Sequence, residues 1–103
     1  MKSVSRVFKA LADPTRRQIL QELKQGELSA GEISAKFPIS GPSVSRHLSI
    51  LKGADLVVER REGNRIVYQL DPEQVAVVVG DFLSAVCPTQ VLRKRQQRKR
   101  STS

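Results

Sequence analysis

The stretch that decides the fold runs from Ser29 to Ala54 and reads SAGEISAKFPISGPSVSRHLSILKGA. It opens with Ser-Ala-Gly-Glu at 29–32, a capping box in which the Ser29 hydroxyl and the Glu32 carboxylate each accept a backbone N–H of the other residue. Pro38 ends this first helix, because proline lacks an amide proton and disfavours helical angles in the residue before it. The pattern predicts one short helix with an apolar face.

A second helix follows after a tight turn, which we expect to be three residues long. Ser40 is the expected N-cap, and Pro42 is tolerated in the first turn, where its missing N–H would have had no partner. Val44, Leu48 and Leu51 then recur at spacings of four and three, which marks the buried side of a helix. The segment therefore predicts a helix-turn-helix.

The outward side of the second helix is small and polar, with one arginine. A major groove about 12 Å wide just admits an α-helix, so large side chains on that side would hold the helix away from DNA. Arg46 is the expected reader of base edges, because arginine is the commonest bidentate partner of guanine. The alternative is that two helices simply pack at a corner, with their serines in water. The predicted DNA contacts of this helix are Ser40, Gly41, Pro42, Ser43, Ser45, Arg46, His47 and Ser49.

A β-hairpin is predicted directly after this helix. Residues 57–62 and 65–70 are rich in β-branched and aromatic side chains, and Gly63-Asn64 between them is a two-residue turn signal. A hairpin in this position is the wing of a winged helix-turn-helix, and its tip can contact the DNA backbone or minor groove. The alternative is that its arginines only keep an exposed sheet edge soluble. The predicted wing contacts are Arg60, Arg61, Asn64 and Arg65.

Three blocks of this sequence resemble the ArsR/SmtB family of winged-helix repressors. They are DPTRRQIL at 13–20, SVSRHLSIL at 43–51 and GNRIVY at 63–68, and the likeness extends in register from Phe8 to Phe82. The resemblance implies a mainly α fold in the order α-α-α-α-β-β-α. It also implies a homodimeric repressor that inserts Ser40 to Ser49 into its DNA operator.

The chain lacks the metal-ligand residues of the family's metal-sensing members. The positions of their Cys-x-Cys pair are occupied by Ser29 and Gly31, and the last helix contains two carboxylates but no histidine. One cysteine (Cys87) and one histidine (His47) cannot complete a tetrahedral zinc site within a subunit. We therefore expect no metal and no cofactor.

The single histidine and the single cysteine each have two interpretations. His47 lies at the edge of the buried stripe and suits a structural or phosphate-contacting role better than a pH switch. Cys87 precedes a proline at the end of the last helix, where a small apolar role is favoured over redox sensing. One cysteine and no signal peptide fit a reducing compartment. The expected location is the cytoplasm of a bacterium, in association with the nucleoid.

The first and last helices are predicted to form a dimer interface. The last helix begins with Asp71 as cap and Pro72 in its first turn, and its early turns are apolar nearly all round. A helix that is apolar on several sides is usually covered on several sides, and a second subunit would provide that cover. The alternative is that Val77 is merely exposed. The predicted interface residues are Val4, Val7, Phe8, Leu11, Val75, Val78, Val79, Phe82, Leu83 and Val86.

The net charge of +8 is concentrated at the end of the chain. Six of the 18 basic residues lie between Arg93 and Arg100 without an acidic residue, which leaves 12 basic and 10 acidic residues in the rest. Such a run self-repels and lacks apolar anchors. We expect a domain over 1–89 and a basic tail over 90–103 that is a disordered extension or a frayed end of the last helix. The tail adds non-specific DNA affinity; a nuclear or ribosomal address is the other interpretation.

The expected function is a homodimeric, sequence-specific repressor on an inverted-repeat operator, including that of its own operon. No catalytic arrangement, glycine-rich phosphate loop or membrane-length apolar run is present, so an enzyme or a membrane protein is not expected. The alternative is a winged-helix module that binds protein or RNA, although few aromatic residues are available for base stacking. The sequence does not show what relieves repression. The alternatives are an unknown inducer, a protein anti-repressor and no inducer at all.

Overall fold

The computed structural model describes residues 2–94, in which five helices and three strands follow one another. Their bounds are α1 Lys2–Leu11, α2 Pro14–Lys24, β1 Leu28–Ser29, α3 Ala30–Lys36, α4 Gly41–Gly53, β2 Val57–Glu62, β3 Arg65–Leu70 and α5 Pro72–Val86. The mainly α fold with a small hairpin is confirmed. Residues 37–40 form the turn between α3 and α4, one residue longer than predicted.

Four helices begin at the residues that their capping chemistry predicts. The side chains of Asp13, Ser29, Ser40 and Asp71 each accept a hydrogen bond from the backbone N–H three residues later. In α3 the capping box is complete, because the Glu32 carboxylate also accepts the Ser29 amide at 2.8 Å. These contacts satisfy N–H groups that a helix terminus otherwise leaves without a partner.

The sheet contains one strand that the sequence did not predict. The hairpin strands β2 and β3 have the predicted bounds, and Gly63 at their turn has a φ of 63°, which favours glycine. The two-residue β1 pairs antiparallel with β3, with Leu28 opposite Tyr68, so the sheet order is β1-β3-β2. The predicted element order therefore lacked β1, because two residues are too short to show a periodicity of two.

One apolar core joins the first four helices, the sheet and α5. Its fully buried side chains include Ile19, Ile33, Leu48 and Leu56, from α2, α3, α4 and the segment before β2. Burying one such side chain stabilises the fold by about 1.5–3 kcal/mol. This core fixes the position of α4 between α1, α2 and the hairpin.

Part of the predicted dimer interface lies in the core of the single chain. Val7 is 0 % exposed, so it has no surface for a partner and is a core residue; periodicity locates an apolar stripe but not what covers it. Val78 is also buried, and Leu11, Val75 and Val79 are half-buried against the core. Phe8 is half-buried, and its ring contacts that of Phe82 edge to face at 5.1 Å. The exposed members are Val4, Phe82, Leu83 and Val86.

The end of the chain is helical beyond the predicted domain boundary. Cys87 is extended at the C-cap of α5, and residues 89–94 form a further helical segment after Pro88. The disorder expected from residue 90 is therefore not seen at 90–94, and the remainder of the basic tail lies outside the described residues. Within residues 2–94, none of the helices has the length and apolar character needed to cross a membrane.

Candidate nucleic-acid interface

The exposed side of α4 consists of small residues around one arginine. Val44, Leu48 and Leu51 are buried, whereas Pro42, Ser45, Arg46 and Ser49 are exposed, as is Gly41 in the first turn. At the helix start, the Ser40 hydroxyl accepts the Ser43 amide at 3.2 Å and donates to the Ser43 hydroxyl at 2.9 Å. The exposed side is therefore slim enough for a major groove.

His47 is half-buried at the edge of the buried stripe of α4, where the sequence placed it. Its ring is 19 % exposed and turns toward the corner between α1 and α2, with Nδ1 3.9 Å from an Asp13 carboxylate oxygen. The Arg16 guanidinium lies 3.2 Å from the same Nδ1. His47 therefore joins α4 to the α1–α2 corner.

Arg16 connects three elements at this corner. Its Nε donates to the Ala10 carbonyl at 2.8 Å, and Nη2 donates to the Lys9 carbonyl at 3.0 Å. These carbonyls belong to the last turn of α1, where the helix leaves carbonyls short of donors, and the Lys9 carbonyl also accepts the Ala12 amide at 3.3 Å. The Arg16 amide also holds the pKa of the Asp13 carboxyl below its usual value, with His47 and the Arg16 charge acting in the same direction.

On the opposite side, α4 is joined to the hairpin. Lys52, in the last turn of α4, forms an ion pair with Glu59 of β2, and this contact lowers the pKa of the Glu59 carboxyl. The recognition helix is thus attached to α1 and α2 along one side and to the wing along the other.

Two of the predicted wing arginines are held by carboxylates. Arg60 donates two hydrogen bonds to Glu27, at 3.0 and 2.9 Å, and a third to Glu62 at 2.7 Å. This arrangement lowers the pKa of Glu27 and raises that of Arg60. Arg65 donates to Glu32 at 3.2 Å, on the same carboxylate oxygen that completes the α3 capping box.

The remaining two wing residues, Arg61 and Asn64, are exposed near the hairpin turn. Within residues 2–94, Arg61 forms no ion pair shorter than 4.0 Å. Arg61 is therefore the wing arginine whose charge is available to a phosphate.

Sequence reasoning missed two cations beside the recognition helix. Arg6 and Lys9 of α1 line a cleft of about 500 Å³ together with Arg46, Ile50 and Gly53 of α4. Their spacing of three residues, which places two side chains on one side of a helix, was the available signal.

A second cavity, of about 550 Å³, lies between the start of α3 and the wing. Its lining includes Ser29 and Gly31, which occupy the positions of the Cys-x-Cys pair described above for metal-sensing repressors. The lining contains no thiol. Among residues 2–94, no cluster of three histidine, cysteine, aspartate or glutamate side chains could hold a metal ion.

A helix-turn-helix with a slim exposed second helix, followed by an arginine-bearing hairpin, defines a winged-helix DNA-binding protein. The family model described as "Bacterial regulatory protein, arsR family" matches residues 13–58. The HTH-type transcriptional regulator Rv2034 of Mycobacterium tuberculosis is 48% identical over 81 residues, 79% of this chain and 76% of that protein. The transcriptional repressor SdpR of Bacillus subtilis is 50% identical over 68 residues, 66% of this chain and 76% of that protein.

Solved structures agree with these relatives. The crystal structure of an ArsR family transcriptional regulator superposes with a TM-score of 0.76 at 26% identity, covering 90% of this chain and 92% of the other. The chain belongs to the ArsR family. It is a DNA-binding transcriptional repressor of that family and not an enzyme, in agreement with the resemblance found in the sequence.

Proposed function

We propose that this repressor acts as a homodimer that occupies an inverted-repeat operator and thereby blocks a promoter, that of its own operon included. The observation that carries the proposal is the apolar surface on α5 formed by Phe82, Leu83 and Val86, which are 46%, 39% and 59% exposed. Large contiguous apolar surfaces on a small chain mark interaction sites. A second copy of α5 would cover this one.

Two-fold symmetry explains why a dimer suits DNA. A dimer of this fold presents two copies of α4, and paired recognition helices bind half-sites about 34 Å apart, one turn of the duplex. Both half-sites then have the same sequence on opposite strands, which is an inverted repeat.

Within each half-site, we assign base readout to Arg46 and backbone contact to the wing. Arg46 is exposed in the middle of α4, between Pro42 and Ser49, with no bulky neighbour on the exposed side. Arg61 and Asn64 are the exposed polar residues near the hairpin turn that are suited to phosphate contact. Arg60 and Arg65, which are paired with Glu27 and Glu32, hold the wing against β1 and α3.

The test compares Arg46→Ala with the exposed lysine control Lys24→Ala. An operator is first selected from random duplexes with the unaltered protein, and each variant is then titrated with that operator and with a scrambled duplex. A bidentate arginine–guanine pair contributes about 1–3 kcal/mol of discrimination, so Arg46→Ala should reduce the preference by roughly 5- to 150-fold per half-site. Deleting 93–103 should weaken both duplexes equally, because a basic run carries no sequence information.

An unchanged preference in Arg46→Ala would refute the assignment of base readout. Single-stranded RNA is the competitor that checks the class of nucleic acid, and binding of RNA in preference to duplex DNA would refute the operator model.

A further inference from the structure

The cleft between α1 and α4 brings three cations together. The cleft has a volume of about 500 Å³, and its lining includes Arg6 and Lys9 of α1 and Arg46 of α4. None of the residues that line it is acidic. Because a water molecule takes about 30 Å³ of liquid volume, the cleft can admit a hydrated anion. Like charges at this spacing repel, and an anion between them would remove that repulsion.

Several other cations of the described surface are already held by carboxylates, although Arg17, Lys24 and Arg61 are not. Lys36, Lys52, Arg60 and Arg65 each form an ion pair with a carboxylate of this chain. Within residues 4–94, Arg6, Lys9 and Arg46 form no such pair. The uncompensated charge of α1 is therefore placed beside the recognition helix.

The backbone of the last turn of α1 is held by the corner already described. The carbonyl of Lys9 accepts a hydrogen bond from Arg16, and Arg16 also contacts His47 of α4. The last turn of α1 is thus tied to the recognition helix through one side chain.

We propose that this cleft receives a backbone phosphate of DNA, with Arg6 and Lys9 as its ligands, on the side of α4 away from the wing. The proposal depends on the DNA-binding role proposed above. A helix in the major groove lies between two phosphate backbones. The wing, joined to α4 by Lys52 and Glu59, approaches one backbone, and α1, joined to α4 by Arg16 and His47, approaches the other.

The test uses the double variant Arg6→Ala/Lys9→Ala. Its control is Arg17→Ala/Lys24→Ala, which removes the same charge from exposed positions of α2. Circular dichroism first confirms that both variants are folded. The dissociation constant for the selected operator and for a scrambled duplex is then measured by fluorescence anisotropy between 50 and 200 mM salt.

Each lost phosphate contact should reduce the slope of log affinity against log salt by about 0.9, so the double variant, which loses the one phosphate of the cleft, should lose about 0.9 per protomer. Its preference for the operator over the scrambled duplex should remain, because phosphate contacts carry no base information. A slope that stays within error of the control double variant overturns the proposal.

A free anion is the other source of the same chemistry. Thermal unfolding of the unaltered protein and the double variant is therefore compared in inorganic phosphate and in chloride at equal ionic strength. Stabilisation by phosphate that requires Arg6 and Lys9, combined with an unchanged slope on DNA, would overturn the proposal in favour of a small-anion site. The double variant can show a smaller salt slope on a scrambled duplex even if the unaltered protein prefers no operator. That result would support the cleft as a backbone contact while refuting the operator model, so the two proposals fail separately.

Discussion

Replacing Arg16 by alanine should loosen the recognition helix from the rest of the domain. The guanidinium donates to the carbonyls of Lys9 and Ala10 and to Nδ1 of His47, at distances between 2.8 and 3.2 Å. The change removes all three hydrogen bonds and leaves the two α1 carbonyls without these donors. The contact between the α1–α2 corner and α4 through His47 is lost at the same time.

The expected cost follows from these contacts. A protein hydrogen bond contributes a net 0.5–1.5 kcal/mol, so three bonds from a half-buried side chain correspond to about 3 kcal/mol of unfolding free energy. For a domain of this size, that cost lowers the melting temperature by roughly 10–20 °C. Lysine has the charge but not the planar fork of donors, so Arg16→Lys should recover only part of the loss.

Arg17 provides the matched control. It is the next residue of α2 and carries the same charge, but it is exposed and donates one hydrogen bond, to the Leu11 carbonyl at 2.7 Å. Arg17→Ala should cost no more than about 1 kcal/mol. Urea unfolding at one fixed protein concentration gives both values, since the stability of a dimer depends on concentration.

A double-mutant cycle isolates the link to the recognition helix. Arg16→Ala, His47→Ala and the combined variant should show a coupling energy of about 1 kcal/mol, because the two side chains are in direct contact. Equal costs for Arg16→Ala and Arg17→Ala, or a coupling energy near zero, would refute the reasoning.

Two further predictions concern the wing and the dimer. Arg60 holds the pKa of Glu27 below its usual 4.5, so the pair stabilises the fold above that pH and the benefit is lost as pH falls through the lower folded value. Glu27→Gln should therefore have a lower melting temperature than the unaltered protein at pH 7 but the same melting temperature in strong acid. An equal difference in melting temperature at both pH values would contradict a stabilising Glu27–Arg60 pair. Leu83→Glu/Val86→Glu should give monomers in sedimentation, whereas Val58→Glu on β2 should leave dimers, and dimers in both would place the interface elsewhere.

Local chemistry made the helices and the hairpin predictable. The caps at Asp13, Ser29, Ser40 and Asp71 act over three residues, and the two-residue turn at 63–64 joins adjacent strands, so each signal is contained in a short window of sequence. The apolar spacing in α4 likewise identified its buried side.

Contacts between distant residues were not predictable in this way. Arg60 and Arg65 reach Glu27 and Glu32 across 33 positions of sequence, and β1 exists only because β3 lies beside it. His47 was predicted at the edge of the buried stripe of α4, but its spacing alone does not reveal the contact with Arg16 of α2. The sequence does not show which arginines form ion pairs. Only the fold shows which of them are already bound to a carboxylate.

That distinction changes how the basic charge of the domain can be used on DNA. A phosphate that engages Arg60 or Arg65 must displace a carboxylate of the same chain, and the displaced charge then repels the DNA. Arg61, Arg6 and Lys9 meet no such competition within the described part of the chain. Backbone affinity should therefore come from the cations on both sides of α4, while the paired wing arginines connect the hairpin to Glu27 before β1 and to Glu32 of α3.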